Sequence, residues 1–65
     1  MQQLDEILQT VKFLNRQGIK ASAVHILAWG NFAYSERQMY RLLKRLLQDG
    51  KIKKIPRRHG YLAAT

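Results

Sequence analysis

The chain has 65 residues, of which 46% are hydrophobic, and its formal net charge is +8. This length is enough for one small core and too short for two, and the absence of cysteine excludes disulfides and thiolate metal sites. No apolar run reaches the ~20 residues that cross a bilayer, and the first residues, MQQLDE, lack the pattern of a secretory signal. We therefore expect a soluble domain in the cytoplasm or nucleus.

A first helix is predicted at about residues 3 to 17. Its apolar residues recur at helical spacing, and they are Leu4, Ile7, Leu8, Val11 and Leu14. Asp5 and Glu6 suit the positive end of this helix, and Gly18 suits the left-handed position just after a helix.

A second, short helix is expected after an extended link at residues 19 to 21. Ser22 is a favourable N-cap, and Gly30 with Asn31 favours an end to the helix, which leaves about residues 23 to 29. The residues that we expect to face inward are Val24, Leu27 and Ala28.

The third helix, at about residues 36 to 48, has the clearest start and the strongest two-sided pattern. Ser35 and Gln38 have the spacing of a capping box, in which each side chain accepts a hydrogen bond from the other residue's amide. At ~3.6 residues per turn, one face is apolar, with Met39, Leu42, Leu43, Leu46 and Leu47. The opposite face carries Arg37, Arg41, Lys44 and Gln48. We expect Leu43 and Leu46 to lie in the core.

The end of the chain, KIKKIPRRHGYLAAT, predicts a β-hairpin. One strand is expected at residues 51 to 55 and the return strand at residues 61 to 64, with Gly60 allowing the tip to turn. The alternation of the first strand is imperfect, so this strand either contains a bulge or ends at Lys54.

The net charge is concentrated in one part of the chain. Residues 1 to 36 carry equal numbers of basic and acidic residues, whereas residues 37 to 58 carry nine basic residues against Asp49 alone. The nine are Arg37, Arg41, Lys44, Arg45, Lys51, Lys53, Lys54, Arg57 and Arg58. A neutral scaffold with a basic half is expected of a nucleic-acid binder, although such a surface also attracts anionic lipid or an acidic protein.

This order of elements, with a capped basic helix followed by a basic hairpin, resembles the winged helix-turn-helix family of DNA-binding domains. The most specific stretch is LAWGNFAYSERQMYRLLKRLLQDGKI, with a tight turn that closes on a Ser cap, a recognition helix and an Asp-Gly-Lys-Ile lead into the wing. The resemblance covers nearly the whole chain. It implies one mainly α domain over residues 1 to 65, with three helices and a C-terminal wing at about residues 51 to 64.

The resemblance also implies that the third helix enters the major groove of double-stranded DNA, while the wing lies along phosphates or the minor groove. The candidates for base contacts are Arg37, Gln38 and Arg41, since Arg can bond guanine, and Gln adenine, through paired hydrogen bonds. The candidates for phosphate contacts are Lys44, Arg45, Lys53, Lys54 and Arg57, and those for the wing tip are Arg58 and His59. Gln38 has a competing use in the capping box, which already explains its presence.

Three aromatic residues, Trp29, Phe32 and Tyr34, crowd the turn between the second and third helices. We expect them to pack this turn onto the core, because a chain of this length needs the buried area. A base-stacking platform or a partner pocket is the alternative.

Binding, rather than catalysis, is the function that the composition favours. The four acidic residues all have local structural uses, and His25 and His59 stand apart from any set of metal ligands and from any nucleophile. We therefore expect no enzyme activity, cofactor, metal or small-molecule ligand.

Two classes of partner remain for such a binding domain. The leading hypothesis is sequence-specific binding of duplex DNA, and the alternative is a winged helix that docks on a protein partner or on a second copy of the chain. RNA is less favoured because its major groove is too narrow for a helix, and a membrane is less favoured because the third helix needs its apolar face for the core.

Overall fold

Three helices are followed by one antiparallel β-hairpin. The computed structural model describes residues 2 to 57 and 60 to 64, with side chains from residue 3 onward. The elements in chain order are α1 (Gln2–Arg16), α2 (Ala23–Gly30), α3 (Glu36–Gln48), β1 (Ile52–Lys54) and β2 (Tyr61–Ala63). The predicted mainly α fold with a C-terminal hairpin is confirmed, and the order of its elements is consistent with a winged-helix topology.

Each helix is followed by a residue that tolerates left-handed backbone. The φ angle is 70° at Gly18 after α1, 53° at Asn31 after α2, and 72° at Gly50 after α3. Most side chains are strained in this region, and Gly and Asn adopt it at the least cost. At the other end of α2, the Ser22 side chain accepts a hydrogen bond from the His25 amide at 3.4 Å, so this residue is the N-cap that the sequence predicts.

The core lies where the three helices and the hairpin meet. Met39, Leu43 and Leu46 of α3 are at most 2% exposed, and Leu42 and Leu47 pack partly buried at the edges of the same face. The other buried residues are Ile7, Leu8, Val11, Leu14, Ala21, Ala23, Ile26, Ile52 and Tyr61. Burial of one leucine side chain stabilises a fold by about 1.5 to 3 kcal/mol. The prediction that Leu43 and Leu46 lie in the core is confirmed.

The inward face of α2 differs from the prediction. Val24 is 57% exposed and Ala28 is exposed, whereas Ala23 and Ile26 are buried and Leu27 is partly buried. The expectation of an inward Val24 and Ala28 is therefore wrong. The physical reason is that α2 carries no charged residue and is apolar around most of its circumference, so its pattern does not mark one side for the core. Packing against α1 and α3 selects the side instead.

The aromatic turn also differs in part. Phe32 and Tyr34 pack against the core with their ring centroids 5.7 Å apart, as predicted. Trp29 does not, because its place on α2 turns it to the outer surface beside Phe13 of α1, with 6.0 Å between the ring centroids. Trp29 is 55% exposed, so the expectation that it packs onto the core is wrong. Gly30 leaves the space that the Phe32 ring fills, since a β-carbon there would overlap the ring.

Replacement of Leu43 by Ala should lower the free energy of unfolding by about 2 to 5 kcal/mol, because it removes methyl groups from a fully buried site and leaves a cavity. Chemical denaturation followed by circular dichroism measures this loss. The matched control is Leu62→Ala on the exposed side of the hairpin, which should change the stability by about 0.5 kcal/mol or less. Equal losses for the two variants would contradict the core assignment.

Candidate nucleic-acid interface

The outer face of α3 carries the predicted cationic stripe. Because the opposite face of the helix is buried, helical geometry directs Arg37, Arg41 and Lys44 to solvent, and all three are exposed. Gln48 continues the same face for one more turn and is also exposed. The structure therefore presents three positive charges in a row on one helix.

The start of α3 is held by the predicted capping box. The Ser35 amide donates to Gln38 Oε1 at 3.0 Å, and the Gln38 amide donates to Ser35 Oγ at 3.2 Å. The oxygen of the Gln38 side chain is thus used inside the protein. A base contact by Gln38 stays a prediction, and it requires either the side-chain NH₂ group or an opened cap.

One flank of the stripe borders the start of α1. Arg41 and Gln3 line the same shallow depression there. Arg45 lies on this flank as well, and its Nε is 3.7 Å from Asp49 Oδ2, with both side chains largely in solvent. An exposed pair of this kind contributes about 0 to 1 kcal/mol. Arg45 can therefore leave Asp49 for a phosphate at little cost.

The other flank borders the hairpin, whose register places its two lysines on opposite faces. Lys53 pairs with Leu62, and Lys54 pairs with Tyr61. Opposed residues of an antiparallel pair share a face, and neighbours along a strand alternate. Lys54 accordingly lies on the inner face, where it lines a small cleft with Tyr61 and with Tyr40 of α3, while Lys53 faces outward. β1 ends at Lys54, which resolves the imperfect alternation.

The described part of the hairpin turn contains one residue with left-handed backbone. Arg57 adopts the left-handed conformation, with a φ of 62°, and its side chain is exposed. Gly60 is buried, and the expectation that it allows the tip to turn stays a prediction. A β-carbon at Gly60 would lie 3.4 Å from Ile55 Cδ1, which is an ordinary van der Waals contact. Arg58 and His59, the predicted tip contacts, lie outside the described residues.

A side chain that the sequence analysis did not single out fastens the hairpin to the helices. Asn15 of α1 donates from Nδ2 to the Tyr61 carbonyl at 3.1 Å and accepts at Oδ1 from the Ala63 amide at 2.9 Å. The Tyr61 amide in turn donates to the Ala21 carbonyl at 3.1 Å. Three backbone groups on the edge of β2 that does not face β1 are therefore bonded, and they hold the hairpin against α1 and the link before α2.

Within residues 2 to 57 and 60 to 64, no three His, Asp or Glu side chains come together as a set of metal ligands. None of the helices in the part of the chain that the structure describes is long and apolar enough to cross a bilayer.

No family model, curated protein or solved structure matches this chain. The consistency with a winged-helix topology therefore rests on the order of the three helices and on the pairing of the two strands.

Replacement of Asn15 by Ala should loosen the hairpin, because it leaves the Tyr61 carbonyl and the Ala63 amide without their partner. We expect a loss of about 1 to 3 kcal/mol in unfolding free energy, with faster hydrogen exchange at the Ala63 amide. Gln9→Ala, at an exposed position of the same helix, is the control and should change neither quantity. A hairpin that exchanges at the wild-type rate in the Asn15 variant would show that the wing is held by other contacts.

Proposed function

We propose that this protein binds double-stranded DNA in a sequence-specific manner, with α3 in the major groove and the hairpin beside phosphates or the minor groove. One observation carries the proposal. Exposed basic residues lie on α3 and on the hairpin, which borders α3 where Lys54 and Tyr40 line one cleft. All of them belong to the stretch, residues 37 to 58, that supplies the whole net charge. A surface of this kind attracts a polyanion, and a helix on that surface fits the ~12 Å major groove.

The residues divide by the contacts that they could make. Arg37 and Arg41 lie one turn apart on the exposed face of α3, and each has the planar fork that bonds guanine O6 and N7. The residues proposed to contact phosphates are Lys44, Arg45, Lys53, Lys54 and Arg57. Because Lys53 faces away from α3, it would meet a different stretch of backbone from Lys54.

The biological role that we propose is that of a small transcriptional or mobile-element regulator, or of the DNA-binding part of a larger protein, in the nucleoid or nucleus. We propose binding without catalysis. Neither a cofactor nor a metal enters this mechanism.

A second candidate is a module for protein interaction, and the outer surface of α1 and α2 favours it. Val24, Ala28, Trp29 and Phe13 are all exposed there, and α2 carries no charged residue. Exposed apolar surface on one side of a small protein is typical of a docking site. Sedimentation of the protein alone measures self-association. Together with a search for partners whose binding Trp29→Ala abolishes, it would separate this role from DNA binding.

The first test of DNA binding is its dependence on salt. If the stripe and the hairpin neutralise about five to seven phosphates, the logarithm of the association constant should fall with the logarithm of the salt concentration with a slope of about −5 to −6. Titration of a labelled duplex followed by fluorescence anisotropy measures this slope. Lys53→Ala should reduce its magnitude by about one. An affinity that does not respond to salt would exclude the basic surface as the binding site.

The second test separates base contacts from phosphate contacts. Arg41→Ala should weaken binding to a selected site and also remove the preference at one base pair, since a paired bond to guanine contributes about 1 to 3 kcal/mol of discrimination. Lys53→Ala and Arg57→Ala should instead weaken specific and random duplexes nearly equally. Selection from a random duplex library followed by affinity measurements gives both quantities. Equal losses on specific and random DNA for Arg41→Ala would show that this residue does not contact bases.

A further inference from the structure

A small cleft lies between α2, α3 and the hairpin. It encloses about 110 Å³ and is lined by Ser22, Ala23, Tyr40, Lys54, Gly60 and Tyr61. One water requires ~10 to 15 Å³, so the cleft has room for a larger polar group. The α2 helix begins at this cleft, and the first amides of a helix have no partners within it. They make this end of α2 a source of hydrogen-bond donors and of partial positive charge.

A tyrosine that is mostly buried lines the same cleft. Tyr61 is only 7% exposed, and the hydrogen bonds that it makes to the described residues use its backbone groups. No buried side-chain nitrogen or oxygen in this part of the chain is left without a partner, so the Tyr61 hydroxyl is not a sealed, unsatisfied group. Tyr61 and Lys54 are paired on the same face of the hairpin, and both line this cleft.

The polar groups that line the cleft favour an anion. Lys54 is the one charged residue that lines it, within the part of the chain that the structure describes. Burial raises the pKa of the Tyr61 phenol, and the nearby Tyr40 phenol raises it further. The Tyr61 hydroxyl is therefore protonated at neutral pH and acts as a donor. A tetrahedral oxyanion, with acceptor oxygens on every side, matches this set of donors.

We propose that this cleft is a binding site for one phosphate group, held by the first amides of α2, the Tyr40 and Tyr61 hydroxyls and the Lys54 ammonium group. This inference rests on the proposed function, since the phosphate that it would hold is one of the backbone of the bound duplex. Contact there anchors the backbone between α2 and the hairpin, beside the helix that would enter the groove. The cleft thus determines the register of α3 along the DNA.

The two lysines of β1 provide a matched pair of variants. Lys54→Gln and Lys53→Gln remove the same charge from adjacent residues of one strand, but only Lys54 lines the cleft. Tyr61→Phe removes one hydroxyl and leaves the ring in the core, so the fold should be retained. Thermal unfolding of each variant checks that it is folded.

The test titrates the intact, ¹⁵N-labelled protein with inorganic phosphate at constant ionic strength and neutral pH, and follows the amide signals by NMR. We expect saturable shifts at Ser22, Ala23 and Val24. Lys54→Gln and Tyr61→Phe should each weaken phosphate binding by about 3- to 10-fold, which is the effect of one lost hydrogen bond. Lys53→Gln, outside the cleft, should leave the phosphate affinity read from the shifts at Ser22, Ala23 and Val24 within about twofold, although it should weaken duplex binding. Shifts that do not saturate, or equal effects of the two lysine variants, would overturn the proposal.

Duplex titrations with the same variants separate this inference from the proposed function. Greater loss of duplex affinity for Lys54→Gln than for Lys53→Gln supports a backbone phosphate in the cleft. A second outcome is that the wild-type protein binds the duplex, the two lysine variants lose equal affinity, and inorganic phosphate causes no shifts at the cleft. This result would exclude the cleft as a phosphate site and leave the proposed function in place. Absence of duplex binding, together with the expected response to inorganic phosphate, removes the proposed function and identifies the cleft as a site for a free phosphate group.

Discussion

The burial of one face of α3 is the constraint on which the rest of the structure depends. A chain of 65 residues without cysteine has few other sources of stability, and Met39, Leu43 and Leu46 supply the centre of its core. Once these residues point inward, helical geometry leaves no choice about where Arg37 and Arg41 point. The exposed cationic stripe is therefore a consequence of core packing as much as of charge. A variant that repacked this face would rotate the stripe away from the hairpin.

The accuracy of the sequence-based expectations follows the strength of the local signals. α3 was predictable because its capping box, its closing glycine and its apolar spacing all agree, and its first and last residues are those expected. α2 has a clear cap at Ser22, and its start was predictable for that reason. Its inward face was not, because a helix that is apolar on nearly all sides gives no preferred direction, and Ile26 rather than Val24 occupies the core.

Contacts between distant parts of the chain were the least accessible to sequence reasoning. Asn15 is bonded to residues 46 and 48 positions further along, and one asparagine near the end of a helix looks like any other polar residue. The opposite directions of Lys53 and Lys54 could have been expected from strand alternation alone, yet their shared charge grouped them together. The contribution of Tyr61 to the cleft depends on the hairpin register, which becomes known only when the strands are paired.

The separation of a neutral helical scaffold from a basic α3 and hairpin also gives the molecule a large electric dipole. In the field of a polyanion, such a dipole exerts a torque, so the protein tends to turn its basic side forward while it is still diffusing. A sphere with the same +8 charge spread evenly would be attracted as strongly but would arrive in random orientations. Charge placement in this chain therefore acts on the orientation of encounters with a polyanion as well as on their frequency. In physiological salt the field decays over a Debye length of ~8 Å, so this effect operates at short range.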